Sequence, residues 1–284
     1  MNIKLLALDL DDTTLSTGGV LTDYNRQALL DAMAHGIEVV VASGRNYTSL
    51  PKCITELSGI RYAIVSNGAS IYDVTKNERI VGFPLPKEAV ALILREVKSF
   101  EACRAEVIID SIAYAPTDYL DDPLKFSPPT ISPHIVEYLK TTRHPVDDFY
   151  GFAEENAQNL DCVNITFTSA DDRIAFQKRI EEQTDDVYLT SSIGHLLEIS
   201  NKHTGKGSGM RKVCEMLNIP LPATCACGNA DNDIDMILSA AIGAAVENAT
   251  ESCKAAADII IPKNTENGVG QFIYKLLSEK ESEV

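Results

Sequence analysis

The chain has 284 residues, a hydrophobic content of 45% and a formal net charge of −16 at pH 7. Nucleic acid and anionic membrane surfaces both select basic patches, so we expect neither as a partner of this acidic chain. The odd number of cysteines, without a C-x-x-C pair, indicates reduced thiols, and the absence of a signal peptide or a long apolar run leads us to expect a cytoplasmic protein.

The first predicted element is a buried strand over the apolar residues 3–8, which an acidic loop of sequence DLDDT follows at residues 9–13. In open α/β sheets, ligands bind beyond the carboxyl ends of the strands, where this loop lies. A simple capped turn is the alternative. A calcium loop is excluded because Thr14 and Val20 stand where Gly and Glu are required.

Two more strands with polar ends follow this loop. Thr22 is a suitable N-cap for a helix that runs to residue 34, and strands are predicted over residues 37–42 and 62–65. The segments Ser43-Gly44-Arg45 and Ser66-Asn67-Gly68-Ala69 come directly after these strands. Strands separated by helices imply a parallel sheet, so all three polar segments are expected to meet at one sheet edge.

The middle of the chain has an antiparallel α+β pattern. Helices are predicted over residues 87–100 and 171–183, with strands over residues 106–109, 163–168 and around Val187. The parallel α/β pattern returns near Leu196. We therefore predict a core in two segments, residues 1–82 and 191–284, and an inserted α+β domain at residues 83–190.

Lys206 stands at the start of a helix predicted to run to residue 217. The helix macrodipole disfavours a cation there, so an anionic partner is expected, and helix N-termini bind phosphate readily. A Walker A loop is excluded because Gly207 follows Lys206 and Ser200 stands where the first Gly is required. An exposed surface lysine is the alternative.

A second acidic loop, of sequence GNADND, follows the predicted strand 223–227 and occupies residues 228–233. Alone it is compatible with a capped turn. Together with Asp9 and Asp11 it supplies several oxygen ligands at one sheet edge, and such ligands suit Mg²⁺.

The order of these segments resembles the four motifs of the haloacid dehalogenase (HAD) superfamily of phosphatases. The SGR and NGA stretches, the long insert and the late Asn267-Gly268-Val269 are similar to its Cof-type branch. The resemblance implies a doubly wound, parallel-sheet (Rossmann-like) α/β core with an inserted α+β cap domain. It also implies a magnesium-dependent phosphatase that hydrolyses small phosphorylated metabolites, above all sugar phosphates, through an aspartyl-phosphate intermediate.

The same resemblance assigns the site residues. Asp9 is expected to be the nucleophile, and Asp11 the general acid and base. The phosphoryl group is expected to be bound by Ser43, Gly44, Lys206 and Asn232. The Mg²⁺ ligands are expected to be Asp9, Asp11, Asn229 and Asp233. Arg45 and Asn67 are candidate substrate contacts.

The sequence departs from the family pattern at two positions. Asp12 replaces the usual Gly, a change that we expect to be tolerated if the backbone there is not left-handed, although Asp can also adopt that region. Asn229 replaces a metal-binding Asp, which keeps an oxygen ligand but removes one negative charge. The physiological substrate and the oligomeric state stay open at this point, as do two alternative functions. One is a phosphomutase or phosphotransferase, and the other is a non-catalytic, regulatory phosphometabolite-binding protein.

Overall fold

The structure is a computed structural model that describes residues 2–129 and 133–282. The chain divides into two compact units, one formed by residues up to 45, 50–81 and 205 onward, the other by residues 46–49 and 82–204. The strands are β1 (Leu5–Leu8), β2 (Glu38–Ala42), β3 (Tyr62–Val65), β4 (Ser70–Asp73), β5 (Glu78–Gly82), β6 (Cys103–Ile109), β7 (Ile112–Pro116), β8 (Arg143–Val146), β9 (Leu160–Phe167), β10 (Val187–Thr190), β11 (Leu196–Asn201), β12 (Thr224–Gly228), β13 (Ile242–Val246) and β14 (Ile259–Ile261). The helices are α1 (Asp23–Ala34), α2 (Lys52–Thr55), α3 (Lys87–Lys98), α4 (Thr117–Asp121), α5 (Pro133–Thr142), α6 (Phe149–Glu155), α7 (Ala170–Glu181), α8 (Lys206–Leu217), α9 (Ile234–Ser239), α10 (Glu251–Ala256) and α11 (Gly268–Ser282).

The first unit is built on an eight-stranded sheet in the order β14-β13-β12-β1-β2-β3-β4-β5. The strands from β14 to β3 pair in parallel, and β4 pairs antiparallel with β3. The predicted doubly wound, Rossmann-like core is therefore confirmed. Strands β4 and β5 were not predicted from the sequence, and they extend the sheet beyond β3.

Both faces of this sheet are covered, which explains the nearly continuous apolar strands. Met210 and Val213 of α8 pack against Leu5 and Ala7 of β1 on one face. Leu8, whose side chain points to the opposite face, is also fully buried. This packing places the first residue of α8 beside the carboxyl end of the sheet.

The helix predicted after Thr22 is confirmed, whereas the backbone at Asp12 is left-handed. Helix α1 begins after Thr22, whose side chain accepts a hydrogen bond from Asn25 N at 3.2 Å. Asp12 has a φ of +57°, in the left-handed region that Gly commonly fills and Asp also adopts. Asn248 Nδ2 donates to the Asp12 carbonyl at 2.9 Å and so holds this turn in place.

The second unit contains a six-stranded sheet in the order β10-β11-β9-β6-β7-β8. All of its pairs are antiparallel except β7 with β8. A core that includes Leu94 of α3, Phe149 of α6 and Phe176 of α7 covers one face of this sheet. This is the α+β insert that the sequence predicted.

The carboxyl-terminal boundary of the insert differs from the prediction. We predicted that the second core segment begins at residue 191, but β11 pairs antiparallel with β9 and belongs to the second sheet. Leu197 and Ile199 are buried in the core of that unit, and Glu198 lies between them on the other face. This alternation is typical of a strand in an antiparallel sheet with one apolar face. The unit continues to residue 204.

None of the helices within residues 2–129 and 133–282 combines the length and the hydrophobicity that a bilayer crossing requires.

Candidate active site

Asp9 lies directly after β1 and is almost fully buried. Its N–H donates to the Cys227 carbonyl at 3.0 Å, which fixes its position beside β12. Oδ1 accepts a hydrogen bond from Lys206 Nζ at 2.7 Å. Oδ2 is buried and has no hydrogen-bond partner among the described residues. Because a buried polar atom without a partner costs free energy, this oxygen marks a point where a ligand or reactant is expected.

Lys206 connects two carboxylates at the start of α8. Its Nζ donates to Asp9 Oδ1 and, at 2.6 Å, to Asp233 Oδ1. The side chain is only 1% exposed, so the alternative of a surface lysine is wrong. The anionic partner that we expected for a cation at this helix terminus is therefore a pair of buried carboxylates.

The charges of this cluster do not balance when both carboxylates are ionised. Burial and, to a smaller extent, the neighbouring Asp233 raise the pKa of Asp9, and Lys206 offsets only part of the increase, so that the pKa is about 7. Burial lowers the pKa of Lys206, but the contacts with Asp233 and Asp9 outweigh this effect and raise it, so the amine remains protonated. One ammonium between two carboxylates leaves one negative charge, which a bound cation can neutralise.

Asp233 holds the second acidic loop in place. Its Oδ2 accepts hydrogen bonds from the N–H groups of Asn229 at 2.8 Å and Ala230 at 3.0 Å. A Cβ atom at Gly228 would lie 2.4 Å from the Asp233 Cβ, so this position requires glycine. Both oxygens of Asp233 are therefore engaged, one with Lys206 and the other with the loop backbone.

Asp11 is held by Arg45 through two parallel hydrogen bonds. Arg45 Nε donates to Asp11 Oδ2 at 2.7 Å, and Nη2 donates to Oδ1 at 2.8 Å. The Asp11 side chain is 47% exposed, in contrast to the buried Asp9. The Arg45 N–H also donates to Ser43 Oγ at 3.1 Å, which ties the Ser43-Gly44-Arg45 segment together beside the first acidic loop.

Asn67 and Asn232, which we had assigned to different roles, are in direct contact. Asn232 Nδ2 donates to Asn67 Oδ1 at 3.0 Å, and both side chains are buried. The Asn67 N–H donates to the Ser43 carbonyl at 3.1 Å, and the Asn67 carbonyl accepts from Gly205 N at 2.8 Å. The four polar segments that the sequence predicted at one sheet edge are thus brought together.

Asp235 is a contributor that the sequence analysis missed. Its Oδ2 accepts a hydrogen bond from Gly207 N at 2.8 Å and so satisfies one of the free N–H groups at the start of α8. A Cβ at Gly207 would lie 2.5 Å from the Asp235 carbonyl oxygen. The only sequence signals are the glycine after Lys206 and the acid two positions after Asp233, and neither indicates this contact on its own.

The metal ligands predicted from the sequence do not form one carboxylate cluster. Within residues 2–129 and 133–282, no group of three or more His, Cys, Asp or Glu side chains is arranged to hold a metal ion. The Asp11 carboxylate is bound to Arg45, and that of Asp233 to Lys206 and the loop. The unpartnered Asp9 Oδ2 and the half-buried Asn229 amide still fit Mg²⁺, because this ion is commonly held by one or two carboxylates together with substrate phosphate and water.

Comparison with known proteins identifies the family. The family model of the haloacid dehalogenase-like hydrolases matches residues 6–273. Phosphatase YwpJ of Bacillus subtilis is 30% identical over 97% of this chain and 100% of its own length. A 5-amino-6-(5-phospho-D-ribitylamino)uracil phosphatase of the same bacterium, YcsE, is 26% identical over 96% of this chain and 95% of its own. Pyridoxal phosphate phosphatase YbhA of Escherichia coli is 25% identical over 98% of this chain and 100% of its own.

Solved structures show the same fold over nearly the whole chain. A haloacid dehalogenase-like hydrolase from B. subtilis has a TM-score of 0.83 and 30% identity, and the match covers 96% of this chain and 99% of that one. The subclass IIB sugar phosphatase BT4131 has a TM-score of 0.79 at 19% identity, with coverage of 96% and 98%.

Proposed function

The chain belongs to the haloacid dehalogenase-like hydrolases, as a Cof-type phosphoric monoester hydrolase, and from this premise we propose that it cleaves small phosphorylated metabolites through an aspartyl phosphate on Asp9. The observation that carries the proposal is the buried Asp9 carboxylate, with one oxygen on Lys206 and the other without a partner. A nucleophile needs an available lone pair in a fixed position, and the buried Asp9 carboxylate, held in place by Lys206, has both properties.

In the first step, an Asp9 carboxylate oxygen attacks phosphorus in line with the ester bond. The bond from phosphorus to the ester oxygen breaks, and the leaving oxygen takes a proton from Asp11. The products are the free alcohol and an acyl phosphate on Asp9. Arg45 is proposed to orient the Asp11 carboxyl group for this proton transfer through its two hydrogen bonds.

In the second step, water attacks the phosphorus of the aspartyl phosphate. Asp11, now ionised, accepts the proton of the water, and the bond between phosphorus and the Asp9 oxygen breaks. Inorganic phosphate leaves, and both carboxyl groups return to their starting protonation states. An aspartyl phosphate that passed to a second alcohol instead would make the protein a phosphotransferase.

Lys206 is the main residue for binding the phosphoryl group. Its ammonium already lies 2.7 Å from Asp9 Oδ1, so an oxygen of a phosphoryl group attacked by Asp9 comes within its reach. Ser43, Gly44 and Asn232 are proposed to contribute polar contacts from the neighbouring segments. Preorganised donors of this kind act most strongly in a buried site, where water does not compete with them.

We propose that Asp9 and Asn229 hold the Mg²⁺ ion that phosphatases of this superfamily generally use. When bound, Mg²⁺ supplies positive charge that offsets the negative charge of the phosphoryl group in the transition state. Asp233 contributes indirectly, because it orients Lys206 and the backbone of Asn229.

The relatives support small phosphate monoesters as the substrate class. YcsE acts on a phosphorylated ribitylaminouracil and YbhA on pyridoxal phosphate, and both match this chain over nearly their whole length. We propose phosphorylated sugars, sugar alcohols and similar small metabolites as the first candidates. The second unit is proposed to be the inserted cap domain of the family, which determines the specificity for these substrates.

The test is release of inorganic phosphate from a panel that contains sugar phosphates, pyridoxal phosphate and an aryl phosphate. The natural protein is compared with Asp9→Asn, each with Mg²⁺ and with a chelator. We expect turnover that requires Mg²⁺ and falls by about a thousandfold or more in the variant, because the amide is a poor nucleophile. The variant Asp23→Asn, at the exposed start of α1, is the matched control and should retain full activity.

Equal turnover by Asp9→Asn would exclude the aspartyl-phosphate route. Loss of substrate with no phosphate release, but with transfer to an added alcohol, would identify a phosphotransferase. Tight binding of a panel member without any reaction would instead favour the regulatory alternative.

A further inference from the structure

The loop between β3 and β4 has an unusual backbone. Ser66, Asn67 and Gly68 have φ angles of +48°, +51° and +88°, so three consecutive residues lie in the left-handed region. Residues with a Cβ atom adopt this region at an energetic cost, and such strain persists only where the surrounding structure enforces it. Strain of this kind is concentrated at functional sites.

The loop is bound to all three of the segments that surround Asp9 and Lys206. Through its backbone, Asn67 donates to the Ser43 carbonyl at 3.1 Å and accepts from Gly205 N at 2.8 Å. Its side-chain oxygen accepts from Asn232 Nδ2 at 3.0 Å. A single residue therefore joins the segment after β2, the start of α8 and the second acidic loop.

The contact with the start of α8 is especially close. A Cβ atom at Gly68 would lie 2.2 Å from the Gly205 carbonyl oxygen, so the two backbones touch. Gly205, with a φ of +123°, directly precedes Lys206. Any shift of the Asn67 loop is thus transmitted through Gly205 to the residue that carries the buried ammonium.

We propose that Asn67 is a positioning residue that sets the place of Lys206 relative to Asp9, acting through Gly205 and Asn232. This proposal rests on the proposed function, since it assigns Asn67 to the assembly of that site. The expectation that Asn67 also contacts substrate stays a prediction beside this role.

The geometry makes the site sensitive to such a shift. Lys206 Nζ lies 2.7 Å from Asp9 and 2.6 Å from Asp233, so a displacement of under an ångström breaks one contact or the other. The interaction with a phosphoryl group is strongest in the transition state, where misplacement is most costly. Loss of Asn67 is therefore expected to lower kcat more than it raises KM.

Two substitutions at position 67 distinguish the effect of losing the side chain from the effect of backbone strain. Asn67→Gly keeps the left-handed backbone accessible and removes the whole side chain with its oxygen and amide group, whereas Asn67→Ala removes the same polar groups and also strains the loop. Asn77 is a matched control, because it has a φ of +52° and lies exposed in the turn between β4 and β5. Asn77→Gly and Asn77→Ala impose the same backbone changes away from the site.

The measurements are kcat and KM per folded molecule, together with the affinity for inorganic phosphate by titration calorimetry. We expect kcat to fall about tenfold in Asn67→Gly and about a hundredfold in Asn67→Ala, with KM changed less than threefold. The affinity for inorganic phosphate should also fall, and it should fall further in Asn67→Ala than in Asn67→Gly. Both Asn77 variants should keep the natural kcat, KM and phosphate affinity.

A double variant tests the path through Asn232. If the side chains act through their mutual hydrogen bond, Asn67→Gly with Asn232→Ala should be no slower than the slower single variant. Multiplicative losses in the double variant would contradict this path.

The proposal is overturned if Asn67→Gly and Asn67→Ala match the Asn77 variants in kcat per folded molecule and in phosphate affinity. A lower yield of folded protein with unchanged kcat and phosphate affinity would overturn it in the same way. If the natural protein binds phosphate but hydrolyses no ester, the proposed function fails, and the phosphate affinities alone decide the role of Asn67.

Discussion

Lys206 Nζ donates a hydrogen bond to Asp9 Oδ1 across 2.7 Å, although 197 positions separate the two residues in the chain. The same nitrogen contacts Asp233, and all three side chains are buried. Coulomb interactions are strong where water is excluded, so removal of any one of these three side chains leaves buried charge without its partner.

Replacement of Lys206 tests that cluster directly. Lys206→Met keeps the length of the side chain but leaves Asp9 and Asp233 without their shared cation. We expect kcat/KM for phosphate release to fall about 100- to 1000-fold, as for loss of a preorganised donor at a developing charge. Unfolding free energy should fall by about 3–5 kcal/mol at neutral pH, because buried charges lose their partner. Lys212→Met, on the exposed side of the same helix, is the control, and an equal loss in both variants would contradict the assignment.

The two parallel hydrogen bonds between Arg45 and Asp11 predict that lysine cannot replace arginine at position 45. Arg45→Lys keeps the positive charge but cannot form both hydrogen bonds at once, so Asp11 is no longer held in one orientation. We expect a fall in kcat of about tenfold or more in steady-state kinetics, in the range of general acid–base contributions. Arg61→Lys, which alters the contact of Arg61 with Asp73, should leave kcat unchanged. An unchanged kcat in Arg45→Lys would show that these two hydrogen bonds play no part in turnover.

The amide at position 229 predicts weak metal binding. Asn229→Asp adds one negative charge to the proposed metal site, and we expect Mg²⁺ to bind about tenfold more tightly in titration calorimetry, which corresponds to about 1.4 kcal/mol. Asn218→Asp adds the same charge at an exposed helix end and should leave Mg²⁺ affinity unchanged. Equal or tighter Mg²⁺ binding by the natural protein would rule out Asn229 as a ligand.

The second unit has a buried ion pair that predicts acid sensitivity. Arg143 donates to both Glu106 oxygens, at 2.7 Å and 2.9 Å. Burial by itself raises the pKa of Glu106, but Arg143 and Asn164 outweigh burial and lower it below the ordinary value of 4.5. The folded chain thus binds fewer protons at this site than the unfolded chain. The stability from this pair is fully present above pH 4.5 and is lost as the pH falls below it.

Arg143→Met should therefore lower the unfolding free energy by about 3–5 kcal/mol at pH 7, since it leaves Glu106 buried and unpaired. The loss should be smaller at pH 3, where Glu106 is more readily protonated. Thermal unfolding at both pH values is the measurement, and Lys202→Met, which removes an exposed pair with Asp186, is the control. A loss that does not change with pH would contradict the role of this pair.

Much of the first unit follows from local sequence. The apolar runs at β1, β2 and β12 predict buried parallel strands because a sheet covered on both faces needs little else. The polar residues that follow these runs, Asp9, Ser43 and the loop from residue 228, lie at the carboxyl edge because parallel strands all end on the same side. The presence of a site and its location in the fold are thus determined by the sequence itself.

The partners within the site were decided only by the tertiary structure. Only the fold brings the Asp11 carboxylate to Arg45 and the Asp233 carboxylate to Lys206 and a loop backbone, contacts that no local pattern indicates. Likewise, the boundary near Leu196 depends on which sheet β11 joins, and its pairing partner β9 is far away in the chain. Local patterns determine which face a side chain points to, whereas its contacts depend on the packing of segments that only the complete fold brings together.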